Sequence, residues 1–364
     1  MMIWRIGKMI MRWMPAPAFR SFSILLGLLF VFSLYCGGSI GGCSSTTTSG
    51  GGSSGGAGGS GGSTTDGGSS TGGTTAGGDV TGSSPVSSSG SFTASNGFSQ
   101  QTLTVDGVGR PIALYAPASR GSSPALVIAF HGTSGEQTDW IDSSASSDLA
   151  ASAAANGFVV AAPRARDWGD GASDWDNHGG NDRFWETRFD ANPSRGSDPN
   201  ANADLVLVKQ IIASTHATFN VDLNRVYLIG FSNGAFFSLH AAMILRDQIA
   251  AFAEAAGGLV KCDRTDSCLL QSSSTDCGTI SSGCSCTGDE KPTAIPTTGR
   301  QVPGILGHNN RDDGVSVFYD CALSSRMQAL GYDVSEHISN DSGHGIPTGF
   351  VDAAWTFFST HSLP

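Results

Sequence analysis

Val226-Tyr227-Leu228-Ile229-Gly230-Phe231-Ser232-Asn233-Gly234, followed at once by Ala235 to Leu245 (AFFSLHAAMIL), decides how this chain folds. Arg225 to Ile229 reads as a buried strand, and the stretch from Ala235 to Leu245 reads as a helix that begins without a connecting loop. A G-x-S-x-G sequence at such a junction makes a sharp turn whose middle residue is held in strained backbone geometry. The flanking glycines leave room for the neighbouring chain, so the serine hydroxyl projects into a cleft. Ser232 is the candidate nucleophile. The five-residue pattern alone is weak in a chain of 364 residues with 50 glycines, which produces it by chance. The strand before it and the helix after it carry the reading.

Working outward, the order of elements matches what such a turn demands, and the turn resembles the nucleophile elbow of α/β-hydrolases. Gln101 to Val105 and Arg110 to Tyr115 flank an Asp106-Gly107 turn signal and predict an antiparallel hairpin at a sheet edge. Strands and helices then alternate: strand Ala125 to Phe130, helix Ser146 to Asn156 closed by Gly157, strand Phe158 to Ala162 stopped by Pro163, helix Asp204 to Ala217, then the elbow. Later strands are expected at Phe252 to Ala256, Val302 to Leu306 and Val334 to Ile338, with a last helix from Ile346 to Thr360. The fold class expected is α/β: a mostly parallel, doubly wound sheet with an N-terminal antiparallel hairpin and a cysteine-rich insert. Ligand sites in such folds lie at the carboxyl ends of the strands.

A serine hydroxyl is a poor nucleophile until a base takes its proton, which calls for a histidine oriented by a carboxylate. In α/β-hydrolases the chain order is Ser, acid, His. His344, in the glycine-flanked loop Asp341-Ser342-Gly343-His344-Gly345 after the last strand, stands where that order requires the base. His308 comes too early, His361 is in the tail and His240 lies within the helix after the elbow. The acid is expected in Gly307-His308-Asn309-Asn310-Arg311-Asp312-Asp313, which offers two adjacent carboxylates whose side chains diverge, so that one of them faces the imidazole. Asp320 and Asp333 fall in or beyond the next helix and are poorer candidates. Acyl transfer also needs donors aimed at the oxygen that becomes negative. The backbone N–H groups of Asn233, next to the nucleophile, and of Thr133, in His131-Gly132-Thr133 after strand Ala125 to Phe130, are the candidates, with His131 and Gly132 positioning that loop.

With these residues placed, the chain from about Val105 onward resembles the bacterial and fungal family of secreted polyhydroxybutyrate depolymerases, feruloyl esterases and acetylxylan esterases. Phe219-Asn220-Val221-Asp222-Leu223-Asn224-Arg225-Val226-Tyr227, running into Gly230 to Gly234, is similar to that family's NVDPNRVYVTGMSNG block. His131-Gly132 corresponds to its oxyanion-loop signature, and Asp204-Leu205-Val206 to the end of its D-D-V helix start. His308, Asp312 and Val315 reproduce its H-G-x-x-D-x-x-V acid motif; the resemblance therefore implies Asp312, rather than Asp313, as the acid. Three departures stand out. Ile346 replaces a tryptophan often found two residues after the histidine, although Pro347 is kept; Asn309 replaces a glycine in the acid motif; Ala203 replaces the first aspartate of the helix start. They leave the catalytic set intact and bear on the substrate, so the resemblance implies ester hydrolysis more firmly than any named ester.

The front of the chain speaks of location. Arg5, Lys8, Arg12 and Arg20 precede the apolar stretch Ile24 to Tyr35, the pattern of an export signal too short for a membrane span. Ile40-Gly41-Gly42-Cys43 resembles the bacterial lipobox, which makes Cys43 the expected lipidation site and residues 1–43 a lipoprotein-type signal. Residues 44–91 are almost entirely Gly, Ser and Thr, too poor in apolar area to fold, and read as a disordered tether. Residues 92–364 remain for one catalytic domain. Removing residues 1–42 takes four of the 20 basic residues and none of the 31 acidic ones, a formal charge of −15 that argues against nucleic acid as a partner. The expected partners are an ester substrate, polymeric or not, and a membrane through the lipid anchor only; the chain is expected to be a monomer outside the cytoplasm, without cofactor or metal.

Of the six cysteines beyond Cys43, five lie from Cys262 to Cys286 and the sixth is Cys321. In an exported protein disulfides are the default reading. The spacings lack paired C-x2-C knuckles and no histidine lies among them, which disfavours zinc. Cys284 and Cys286 are poorly placed to join each other, and full pairing requires Cys321 to bond into the segment. The stretch Lys261 to Lys291 is expected to form a lid or rim. Trp168, Trp175 and Trp185 lie in Arg164 to Asn202, a polar loop too long for mere connection, and are candidates for stacking on a sugar, phenolic or polyester chain. The rival functions are an acyltransferase with the same Ser-His-Asp set and a noncatalytic polysaccharide-binding surface module.

Overall fold

The structure, a computed structural model, describes residues 85–141, 149–167, 183–187, 198–259, 271–280 and 294–364. The signal and lipidation residues, Trp168, Trp175, and Cys262, Cys268, Cys284 and Cys286 lie outside the described residues.

Nine strands of the described residues make one sheet: β1 (Ser88–Ser89), β2 (Gly97–Val105), β3 (Val108–Ala116), β4 (Leu126–Phe130), β5 (Val159–Pro163), and, past the two-stranded ribbon β6 (Arg166–Asp167) and β7 (Arg183–Phe184), β8 (Val226–Phe231), β9 (Ala251–Ala255), β10 (Gly304–Arg311) and β11 (Val334–Ser342). Their order is β1-β2-β3-β5-β4-β8-β9-β10-β11. The first three pairings, through β3 with β5, are antiparallel; all pairings from β5 to β11 are parallel. The hairpin turn has positive φ at Asp106 (54°) and Gly107 (73°), as a two-residue loop matching strand twist requires.

Helices α1 (Leu149–Asn156), α2 (Ala203–Phe219), α3 (Asn233–Ile244), α4 (Val317–Ala329) and α5 (Phe350–Phe358) cover both faces. The central strands are buried up to Phe231, the partly exposed last residue of β8, and alternate residues serve different cores. Leu126, Ile128 and Phe130 of β4 and Val226 and Leu228 of β8 pack with α2, α3 and α4. Val127, Ala129, Tyr227 and Ile229 pack with α1 and α5. A sheet covered on both sides by helices, with continuous apolar strands, is the arrangement the element order implies.

Among the boundaries that differ from the sequence reading, four have a local reason. Packed structure begins before residue 92, where the sequence reading starts the catalytic domain: the Val86 N–H donates to the Asn200 carbonyl at 2.8 Å, and Ser88 and Ser89 pair with Val105 and Thr104, so β1 rather than the hairpin forms the edge. β9 stops at Ala255 because Ala256 takes φ 56°. β10 runs to Arg311, five residues beyond the apolar stretch, because the polar side chains of its second half are buried by hydrogen bonding. α5 starts at Phe350 rather than Ile346, since Gly349 at its N-terminus has φ 78°.

Candidate active site

β4 and β8 are adjacent and in register, Leu126 opposite Val226 and Phe130 opposite Gly230, so the loops that leave them emerge side by side. At the end of β8 the chain turns into α3 through Ser232, whose φ of 54° and ψ of −122° are outside the regions a side chain prefers. Such a residue costs on the order of 1–3 kcal/mol and persists only where its surroundings fix it. Here the flanks fix it. A Cβ on Gly230 would lie 2.0 Å from the Gly234 carbonyl oxygen, and one on Gly234 would lie 2.3 Å from the Phe130 oxygen and 2.5 Å from that of His131. The Ser232 N–H donates to the Ala255 carbonyl at 2.9 Å.

The structure brings Ser232, His344 and Asp312 together. Ser232 Oγ lies 2.9 Å from His344 Nε2, and His344 Nδ1 lies 2.8 Å from Asp312 Oδ2. Asp312 is fully buried just past β10; His344 follows β11 with about a quarter of its side chain exposed. Burial pushes the Asp312 carboxyl up, but hydrogen bonds from His344 and from the N–H groups of Val315 and Gly314 outweigh it, and the group is held below its ordinary value. Asp313 takes a different part: its Oδ1 accepts the backbone N–H of His344 at 3.0 Å. Asn309, where the resembled motif has glycine, donates to the carbonyls of Gly343 and Gly345 on either side of His344 and accepts from Ser339 Oγ. The substituted position thus braces the histidine loop.

Among the described residues, the N–H groups of Thr133 and Asn233 have no backbone acceptor. Their surroundings are rigid. His131 is buried; its Nε2 accepts the Ala165 N–H at 2.9 Å, which leaves Nδ1 as the protonated nitrogen facing the Gly132 carbonyl. Desolvation by burial lowers its pKa to about 4, so it is neutral near pH 7. Two indoles finish the loop: Trp140 Nε1 donates to the Phe130 carbonyl at 2.9 Å and Trp185 Nε1 to that of His131 at 2.8 Å. Gly132 packs against Phe231 and Ser232. The Asn233 side chain accepts the Trp185 N–H at 2.7 Å, tying the elbow to the same loop.

Trp185 therefore requires a correction. It is 1% exposed, stacked on Phe237 and edge-on to Phe130, with the Arg110 guanidinium 5.8 Å from its ring centre. A ring so enclosed has no face for a ligand; it holds the loop that carries Thr133. Arg110, buried, pairs with Asp204 at 2.8 Å and donates to the Arg164 carbonyl. Asp204 in turn accepts the Glu186 N–H, and Asn202 caps α2 while donating to the Glu186 carbonyl. The sequence reading missed Arg110 and Asn202 as props of this region. It also missed Glu254, a single acid inside the apolar run Ala251 to Ala256, which was the signal available.

Among the described residues, Cys277 is joined to Cys321 on α4. Residues 271–280 also reach the acid-bearing strand, with the Ser272 N–H donating to the Asn310 carbonyl and Asn310 Nδ2 to the Ser274 carbonyl.

No family model matches the chain. Over 151 residues, 42% of this chain and 18% of the relative, it is 33% identical to the bifunctional acetylxylan esterase/xylanase XynS20E of Neocallimastix patriciarum; the match spans under a fifth of that protein's length. Among solved structures it is similar to native sOPH, with a TM-score of 0.53 and 16% identity over 75% of this chain and 89% of that one. It is also similar to an acetyl xylan esterase from Aspergillus awamori, with a TM-score of 0.44 and 16% identity over 68% and 94%. The sheet order, the two helical layers and the turn at Ser232, together with the likeness to sOPH, show that the chain has an α/β-hydrolase fold.

Proposed function

We propose that this chain is a serine carboxylic ester hydrolase that works through an acyl-enzyme on Ser232. The observation that carries the reading is the unbroken line from Ser232 Oγ through both nitrogens of His344 to the buried Asp312 carboxylate. In the first step Nε2 of neutral His344 takes the hydroxyl proton as Oγ bonds to the ester carbonyl carbon, and the imidazolium is stabilised by Asp312. The carbonyl oxygen, now negative, is received by the N–H groups of Thr133 and Asn233; removing one such donor typically costs about 10²–10³ in rate. His344 returns the proton to the leaving alcohol oxygen. Water then repeats the sequence on the acyl-enzyme, releasing the acid and restoring Ser232.

For the substrate we propose polysaccharide-linked esters, acetyl or feruloyl, or polyhydroxyalkanoate-type polyesters. The block around Ser232 and the partial match to an acetylxylan esterase/xylanase support this. The test compares wild type with Ser232→Ala on 4-nitrophenyl acetate, methyl ferulate, acetylated xylan and polyhydroxybutyrate, measuring acid release against transfer to added alcohol. Serine-dependent acid release is expected. Equal rates for the two proteins would sink the reading, and dominant transfer would make the chain an acyltransferase.

We further propose that residues 1–43 direct export with lipidation at Cys43, and that the Gly/Ser/Thr-rich stretch after it tethers the catalytic domain. Expressed in a bacterium, Cys43→Ser should leave the membrane fraction; retention there would refute the anchor.

A further inference from the structure

Beside Asp312 lies a set of ionisable groups that the proposed reaction does not use. Glu254 on β9, His308 on β10 and Asp320 on α4 are all fully buried. His308 Nε2 lies 3.0 Å from the Val315 carbonyl oxygen and 3.6 Å from Asp312 Oδ2, while Nδ1 lies 3.1 Å from Asp320 Oδ2. Glu254 and Asp320 are close enough that each bears on the other's ionisation.

The proton inventory follows from these contacts. A carbonyl oxygen only accepts, so Nε2 of His308 carries hydrogen. Burial disfavours a second proton on the ring, leaving Nδ1 as a lone pair. A lone pair against a carboxylate would be repulsive. Treated as ionised, both oxygens of Glu254, both of Asp320 and Nδ1 of His308 lack a partner. Hydrogens on the two carboxyls supply donors to this set. Desolvation points the same way, raising Asp320 to about 8 and Glu254 well above its ordinary value.

We propose that Asp320 and His308 are positioning residues for the acid: the Asp320 carboxyl, donating to Nδ1, fixes the His308 tautomer whose Nε2–H holds the Val315 carbonyl and faces Asp312. The turn from Asp312 to Val315 is the one whose N–H groups bind Asp312 Oδ1, at 2.7 Å from Gly314 and 2.8 Å from Val315. Its shape sets where Oδ2 meets His344. Loss of one proton to solvent base inverts the arrangement: the Asp320 proton passes to Nδ1, the Nε2 proton leaves to the base, and Asp320 is left as a carboxylate beside a still neutral ring. Nδ1–H then donates to the carboxylate, and Nε2 presents a lone pair to two oxygens that only accept. The groups facing Asp320 are Glu254 from β9, His308 from β10, Asp312 from the turn and Glu336 from β11; the charges on Asp312 and Glu336 oppose its ionisation.

This inference rests on the esterase reading, and its test separates the two. Hydrolysis of 4-nitrophenyl acetate is followed from about pH 6 to about pH 9.5 in wild type, Ser232→Ala, Asp320→Asn and Asp320→Leu, with histidine nitrogen shifts recorded by NMR. An asparagine N–H donates at any pH. Asp320→Asn should keep most of the wild-type kcat at neutral pH and lose an alkaline decline centred near the Asp320 ionisation. Asp320→Leu should lower kcat about 10-fold with KM unchanged, the size expected for one buried donor. Coincident profiles for wild type and Asp320→Asn, or full kcat in Asp320→Leu, would overturn the proposal. So would an Nδ1–H tautomer of His308 at neutral pH, a result that stands even if Asp320→Leu does not fold. A wild type no faster than Ser232→Ala would instead overturn the esterase reading, and the His308 tautomer would still decide this one.

Discussion

Nδ1 of His344 is 2.8 Å from Oδ2 of Asp312, while the neighbouring Asp313 binds the backbone N–H of the same histidine at 3.0 Å. Two adjacent carboxylates thus hold one residue by different handles. Asp312→Asn is expected to lower kcat by about 10⁴, the loss seen when a triad acid is replaced by its amide. Asp313→Asn, which weakens one hydrogen bond to the loop, should cost about 10-fold or less. Steady-state hydrolysis of 4-nitrophenyl acetate checks both; a larger loss at Asp313 would show that the loop contact matters more than the imidazole contact.

Gly234→Ala places a methyl 2.3 Å from one backbone oxygen and 2.5 Å from the next, neither on a flexible side chain. Overpacking of this kind costs about 1–3 kcal/mol and more where the backbone cannot yield. Because the displaced carbonyls belong to Phe130 and His131, the Thr133 loop should shift and activity should fall as well. Gly121→Ala meets nothing within 4 Å and is the control. Equal melting temperatures for the two variants would contradict the steric argument.

The pH dependence of stability offers a check on Asp320 that needs no substrate. Its pKa is raised from 3.8 to about 8, so between those values the native chain holds a proton that the unfolded chain has released. Stability therefore falls as pH rises through that window, by about 1.4 kcal/mol per pH unit for one proton. Asp320→Asn removes this slope, and its advantage over wild type should grow from about pH 4 and level off above about pH 8. His131 acts with the opposite sign. Lowered from 6.5 to about 4, it stays neutral while the unfolded residue protonates, so its contribution is lost as pH falls from 6.5 toward 4. Urea denaturation at several pH values reads both slopes.

Reduction of Cys277–Cys321, or Cys321→Ser, should lower stability by about 2–5 kcal/mol, as loss of a native disulfide typically does. Thermal melts with and without reductant measure it. An unchanged midpoint would mean that the other contacts of residues 271–280 suffice to hold the segment.

Much of this arrangement was legible in the sequence because its signals are local. The apolar run into Gly230, the glycines around Ser232 and the helix that follows identify elbow, strand and helix together, and Asp106-Gly107 identifies the hairpin. The second half of β10 was not legible, since His308, Asn309 and Asn310 look like loop residues until their partners at Val315, Ser339, Gly343 and Ser274 are known. Trp185 misled for a related reason. A tryptophan in a polar stretch suggests an open surface, and only its long-range contacts with Phe237 and His131 show it enclosed. Glu254 and Asp320 become meaningful together, and they are 66 positions apart in the numbering.

Asp312 and His344 leave the ends of β10 and β11, neighbouring parallel strands paired up to Arg311 and Ser342, and the Gly343 N–H donates to the Arg311 carbonyl across the last rung. The gap between acid and base is consequently fixed by the spacing of a ladder, not by the length of any surface excursion. Substitutions outside these two strands and the loops that leave them should therefore leave the distance from Asp312 to His344 unchanged. For an engineer the pair is a fixed module, and chimaeras joined outside these two strands should carry it over whole from the parent that supplies them.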